Sequence, residues 1–229
     1  MSSFSDAWTE IEAACSGRLS SSSASADTTP DAFSDLIRLA LGTSADVKRS
    51  NRAVEVLRES GQLTPAELAA SDLRDLEQTL KAAGVSIGPK GLRAAVRVAA
   101  LVASFGADAE EVLREKPLES LRDDLLSLNG IGSATADEML LFALGRPTYP
   151  VDRATYRILA RHGWLDPGAD YEMVRDQMTS ALGGSAESIV RATKLLGWIG
   201  REFCKAGVPK CEKCPMKPWL PDGGPIDQC

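Results

Sequence analysis

One pattern restricts what this chain can fold into. Apolar residues recur every three or four positions, segment after segment, with Gly and Pro between segments and almost no strict alternation. That spacing lines one face of a helix and gives a strand no consistent inner side. It predicts helices near 5–15, 31–42, 47–60, 65–71, 73–82, 89–105, 108–114, 118–127, 133–145, 151–161, 171–183 and 186–203. In 89–105, Leu92, Val96, Leu101 and Phe105 keep the helical spacing while Ala fills positions between them, so this helix is expected to be buried. Pro117, Pro147 and Pro167 fall at helix boundaries, where a missing amide donor costs little. The Ser-rich stretch at 16–30 is too polar to pack and is expected to be a loop. No repeat of solenoid period is present. Short helices on short connectors make an all-α globular array.

The length of 229 residues suits one large domain or two small ones, and 44% hydrophobic with 25% charged residues is ordinary for a globular core. No apolar run reaches the roughly 20 residues that span a bilayer, and the first residues lack a basic-then-apolar leader pattern, so a cytoplasmic protein is expected, nucleoid-associated if bacterial. The formal net charge of −6 argues at first against nucleic acid. The charge is uneven, however. Residues 1–35 carry six acids against Arg18, while residues 191–217 carry seven bases against Glu202 and Glu212. Phosphate binding follows the local field rather than the total, so DNA stays open. The single histidine, His162, precedes Gly163 at a predicted helix end, where an imidazolium would meet the helix dipole.

Three places carry chemistry. Leu128-Asn129-Gly130-Ile131-Gly132-Ser133-Ala134-Thr135-Ala136 joins two predicted helices by a glycine–apolar–glycine turn. Glycines allow positive φ and leave amides exposed at the next helix's start, a site suited to a phosphate; a plain helical hairpin is the alternative. Ile131 would pin the turn into the core. Pro150-Val151-Asp152 comes next, with Asp152 lying 19 positions after Ser133. An aspartate just before a helix is usually an N-cap, but a carboxylate there could also stabilise a developing cation or activate water. Finally, Cys204, Cys211 and Cys214 form Cys-x6-Cys-x2-Cys, and Cys229 follows after 14 intervening residues. Four clustered thiols without a secretory context indicate a metal site, either zinc or a [4Fe-4S] cluster. Cys15 stands apart and is expected to be a buried small residue.

Together these elements resemble the endonuclease III branch of the helix-hairpin-helix (HhH-GPD) DNA glycosylases, from about residue 31 to the end. The hairpin follows that family's L-P-G-[VI]-G-x-[KS]-T-A pattern at most positions, Pro150-Val151-Asp152 matches its P-V-D segment, and Gly200-Arg201-x-x-Cys204 resembles the opening of its iron–sulfur site. The resemblance implies an all-α, two-lobed fold with a C-terminal iron–sulfur loop. A six-helix lobe would span 31–147, and residues 1–30 with 148–229 would form the cluster lobe. Asp152 would be the catalytic aspartate. Gly130, Ile131, Gly132, Ser133 and Thr135 would meet double-stranded DNA at the hairpin, with Lys205 and Lys210 on a basic loop. Cys204, Cys211, Cys214 and Cys229 would hold a [4Fe-4S] cluster, zinc being the alternative, and the chain would act as a monomer.

The departures from the pattern shape the expected activity. Ala134 stands where bifunctional members carry a Schiff-base lysine, and a methyl group cannot attack the sugar C1′. A monofunctional glycosylase is therefore expected, releasing a damaged or mismatched base without cutting the strand. The alternative is a weak or inactive paralogue that binds distorted DNA. Thr43 replaces a glutamine that fills the space left by the flipped base, and Asn129 replaces the usual hairpin proline. The family spacing would put the fourth cysteine at Leu220, so Cys229 would substitute through a longer loop. Tyr149, Tyr156, Trp164 and Trp198 are stacking candidates, and loops 85–90 and 105–107 are candidates for the intercalating wedge.

Overall fold

The structure, a computed structural model, describes residues 3–21, 31–42, 47–166 and 168–226. Among them are twelve α-helices and no strand: α1 (Phe4–Ser21), α2 (Ala32–Leu41), α3 (Val47–Glu59), α4 (Pro65–Ala70), α5 (Leu73–Ala82), α6 (Pro89–Ser104), α7 (Ala109–Glu115), α8 (Leu118–Ser127), α9 (Ser133–Glu138), α10 (Arg153–Arg161), α11 (Tyr171–Ala181) and α12 (Ala186–Glu202). The chain divides into two compact units, Asp27–Arg146 and Met1–Ala26 with Pro147–Cys229.

Helix starts follow side-chain chemistry. Asp31, Thr64, Asp72, Asp152 and Asp170 each accept the N–H of a first-turn residue, satisfying a donor that the helix itself leaves over. In the first unit, α2 and α6 pack together and bury Leu36, Ile37, Leu92, Val98 and Val102. The inner stripe of α6 differs from the expected one. Ala94, Ala95 and Ala99 are buried beside Leu92, while Val96, Leu101 and Phe105 are only half-buried at its margin. Small side chains let the backbone of α6 come close to its neighbours, so the alanines take the inside. Arg146 closes this unit by donating to the carbonyls of Leu113, Arg114 and Lys116 at the end of α7.

Past α9 the helix continues as a π-helical segment, Met139–Ala143, with Met139, Leu140 and Leu141 buried. The expected uninterrupted helix over 133–145 is thus two stretches of different winding.

The other unit is built on α1, α10, α11 and α12. Phe4, Trp8 and Ile11 of α1 are buried, as are Ile158, Val174, Met178, Ile189, Leu196 and Ile199. α1 continues to Ser21, six residues beyond the expected end at 15. Once a packed face nucleates a helix, each added residue costs little, so the polar sequence extends it. At Gly200 the approach of α12 to α10 is close enough that a Cβ there would lie 2.4 Å from the Ala154 Cβ.

Candidate functional site

The hairpin lies in the Asp27–Arg146 unit. Its turn closes by a bond from Ile131 N–H to Leu128 O of 3.0 Å, and Gly130 holds φ at 104°, a conformation that disfavours any side chain. Ile131 is buried in the unit's core, as its place between two glycines suggested. Gly130, Gly132 and Ala134 are exposed; Ser133 and Thr135 are half-buried. Gly132 is the N-cap of α9 and brings no side chain to cover the first turn, which leaves its amide end able to meet a phosphate oxygen. Two arginines brace the turn. Arg97 of α6 donates to Asn129 O. Arg122 of α8 makes a two-pronged bond to Asp137 of α9, Nε to Oδ1 at 2.8 Å and a terminal nitrogen to Oδ2 at 3.1 Å, with both side chains buried.

Asp152 lies in the other unit. It is exposed, caps α10, and accepts the Thr155 N–H at Oδ1 over 2.6 Å. Its other oxygen has no hydrogen bond among the described residues. Tyr149 lies beneath, fully buried, with its hydroxyl 3.0 Å from Thr155 Oγ1. Burial, and also the nearby Asp152 charge, push the Tyr149 phenol well above its ordinary value. A carboxylate with one oxygen fixed and the other open to solvent can face a developing cation or a water molecule. The same geometry serves as an ordinary cap.

Cys204, Cys211 and Cys214 line one open pocket, together with Arg161, His162, Phe203 and Lys217. Burial first, and then the neighbouring thiols, push Cys214 up to about 11 and raise Cys211 above its ordinary value. The three sulfurs therefore repel one another as thiolates, and a bound cation would reverse that balance. No three His, Cys, Asp or Glu side chains among the described residues are placed to hold one ion. A cluster that binds each thiolate at a separate iron would ask for thiols spread over one wall, and three of the four expected cysteines, Cys204, Cys211 and Cys214, stand on this one. Cys229 lies outside the described residues, as does Thr43. The chain leading towards Cys229 turns at Pro221–Gly224 and returns to α10, where Ile226 N–H donates to Arg161 O at 3.0 Å.

Lys205 and Lys210 are exposed on the loop between the first two cysteines, and their N–H groups both donate to Phe203 O. Asp152 and the pocket occupy opposite ends of α10, separated by about 14 Å of helical rise. The hairpin residues and this second set stand on different units.

Several expectations change. His162 does cap the end of α10, but it is buried against Trp164 at 4.6 Å, and burial holds its pKa below the ordinary value, so the ring is neutral near pH 7 rather than an imidazolium. Of the aromatic candidates, Tyr149 and Trp164 are core and Trp198 is half-buried on Phe203; only Tyr156 is exposed. In the 85–90 loop Val85 and Ile87 are buried and Pro89 is the exposed apolar side chain, while 105–107 exposes only Gly106 and Ala107. Sequence reasoning missed Arg122, Asp137 and Arg161. For Arg161 a signal existed, since it follows Ile158 and Ala154 by three and seven positions on the apolar face of a helix.

Over 174 residues the chain is 30% identical to the endonuclease III of Thermotoga maritima, spanning 74% of this chain and 71% of that protein. Over 190 residues it is 26% identical to the endonuclease III of Sulfolobus acidocaldarius, spanning 82% and 81%. The fold matches a solved non-covalent endonuclease III–DNA complex with a TM-score of 0.67 at 22% identity, covering 97% of each chain. No protein-family model matches the chain.

Proposed function

The chain belongs to the endonuclease III family of helix-hairpin-helix DNA repair glycosylases, and we propose from this that it is a monofunctional glycosylase, hydrolysing the N-glycosidic bond of a damaged or mismatched base in double-stranded DNA. The hairpin residues Gly130, Gly132, Ser133 and Thr135, with Lys205 and Lys210, hold the phosphate backbone, while buried Ile131 pins the turn that presents them. The target nucleotide is rotated out of the stack, at a cost of a few kcal/mol that favours bases already poorly paired. Asp152 then stabilises positive charge on the deoxyribose as the bond to the base breaks, and orients or deprotonates the attacking water.

The observation that carries the monofunctional reading is Ala134, exposed at the start of α9 where bifunctional relatives would present a lysine. With no amine there, no Schiff base forms at that position and the product is an abasic site on an intact strand. Cys204, Cys211, Cys214 and Cys229 would hold a [4Fe-4S] cluster. Two residues lie between Ile226 and Cys229, so the three steps reach about 10 Å at most, which supports closure of the site by the displaced cysteine. When bound, the cluster supplies structural organisation to the Lys205–Lys210 loop rather than chemistry at the sugar.

The test is a panel of labelled duplexes carrying oxidised, alkylated or mismatched bases, assayed with and without hot alkali beside Asp152→Asn. Breaks that require alkali and vanish in the variant are expected. Breaks without alkali would show that another amine replaces the missing lysine. Binding without base release on any duplex would instead make the chain a non-catalytic reader of distorted DNA, in which Asp152 only caps α10.

A further inference from the structure

Arg161 has a role that neither the hairpin nor Asp152 accounts for. It ends α10, is 3% exposed, and sits in the wall of the cysteine pocket. One terminal nitrogen donates to Cys204 Sγ at 3.4 Å and to Lys205 O at 2.7 Å; the other donates to Gly207 O at 3.2 Å. Its backbone carbonyl receives Ile226 N–H. The Nε is buried and has no hydrogen-bond partner among the described residues.

A buried guanidinium with an idle N–H is costly unless the missing acceptor arrives with something bound. The surrounding acceptors are a thiol sulfur and two carbonyls of the basic loop. Arginine's rigid fork can hold all of these at once, whereas a lysine ammonium would reach them only one geometry at a time.

We infer that Arg161 is the positioning residue that locks the Lys205–Lys210 loop to the sulfur site, with its Nε–H reserved for a sulfur of the group the thiols hold. The inference rests on the iron–sulfur reading above and extends it. The guanidinium offsets the negative charge of the Cys204 thiolate and its neighbours. It also fixes the carbonyls of Lys205 and Gly207, so the two lysines present their charges at a set spacing. Cluster occupancy and loop order are thereby linked through one side chain. Donors and positive charge beside sulfur favour the reduced state, so Arg161 raises the reduction potential of the bound cluster.

The experiment compares wild type with Arg161→Lys and Arg161→Gln, prepared without oxygen. Iron and sulfide per chain, the midpoint potential of the visible chromophore, and the salt dependence of binding to an undamaged fluorescein-labelled duplex are measured. Arg161→Lys is expected to keep iron and sulfide while its potential falls. Its log Kd against log salt slope should become shallower by about 0.9 for each loop lysine that loses its phosphate. Arg161→Gln is expected to do the same and to lose iron faster on dilution. A purely structural arginine would lower the melting temperature in both variants without moving the potential or the slope, and that result would overturn the inference. Should Arg161→Gln fail to fold, Arg161→Lys alone decides. A wild-type chain without iron and sulfide would refute the cluster reading before any variant is compared; the salt slopes would then still test the clamp on the loop.

Discussion

Replacing Asp137 by Asn tests whether the hairpin is held by its buried ion pair. Arg122 and Asp137 have 6% and 0% of their side-chain surface exposed and exchange two hydrogen bonds between α8 and α9. Asparagine keeps the shape but removes the carboxylate charge from the buried pair. Two bonds to a charged group, at about 1.5–3 kcal/mol each, bracket the 3–5 kcal/mol typical of breaking one side of a buried pair. Tryptophan fluorescence would not see the loss, because Trp8, Trp164, Trp198 and Trp219 all belong to the other unit. Amide hydrogen exchange followed by mass spectrometry over residues 118–143 does report it. A loss of 3–5 kcal/mol corresponds to exchange faster by about 10²- to 10³·⁵-fold, given roughly 1.4 kcal/mol per factor of ten. Replacing both partners, Arg122→Met with Asp137→Leu, should restore most of the protection, because no buried charge is then left over. Exchange in Asp137→Asn within tenfold of wild type, or a double variant as labile as the single, would refute the reasoning.

Three further outcomes are expected. Asp152→Ala should cost about 0.5–2 kcal/mol of stability through the lost cap, whereas Asp152→Asn, which keeps an acceptor for Thr155 N–H, should cost only a few tenths; urea unfolding separates the two. Gly200→Ala should destabilise by about 1–3 kcal/mol through overpacking on Ala154, read by the fluorescence of Trp198 on the same helix, and Ala154→Gly in the same chain should recover part of it. Tyr149 titrates higher when folded than the roughly 10 of an unfolded tyrosine, so the stability it contributes is present below pH 10 and lost as the pH rises beyond that. Melting temperatures between pH 9 and 11.5 should fall more steeply for wild type than for Tyr149→Phe.

The helical architecture was legible because amphipathic spacing and caps are local. Asp152, Asp170 and Thr64 announce helix starts by their own chemistry, and the glycine pair flanking Ile131 announces a turn pinned to a core. What escaped depends on contacts between segments. Arg122 and Asp137 are 15 positions apart, and each alone resembles an ordinary solvated residue on a helix. The stripe of α6 was misjudged because the inward side was decided by how closely neighbouring backbones approach, which favours alanine over the larger side chains. Within the 85–90 loop, burial of Val85 and Ile87 was not legible for a related reason: a short connector can turn its apolar residues inward as readily as outward, and spacing carries no such information. For the thiols the pattern showed the group, while their common wall and the arginine beneath it are properties of the packed unit.

The π-helical segment at Met139–Ala143 has a genetic consequence. A π turn closes its hydrogen bonds over five residues instead of four, so it stores one residue more than the α-helix around it. Deleting a single codon within this segment would relax it to plain α-helix rather than break it, while α9 before it keeps its own register. Because this segment is the last stretch of the helix before the turn at Leu144, a residue lost there is absorbed at the helix end, and the hairpin at the other end keeps its place.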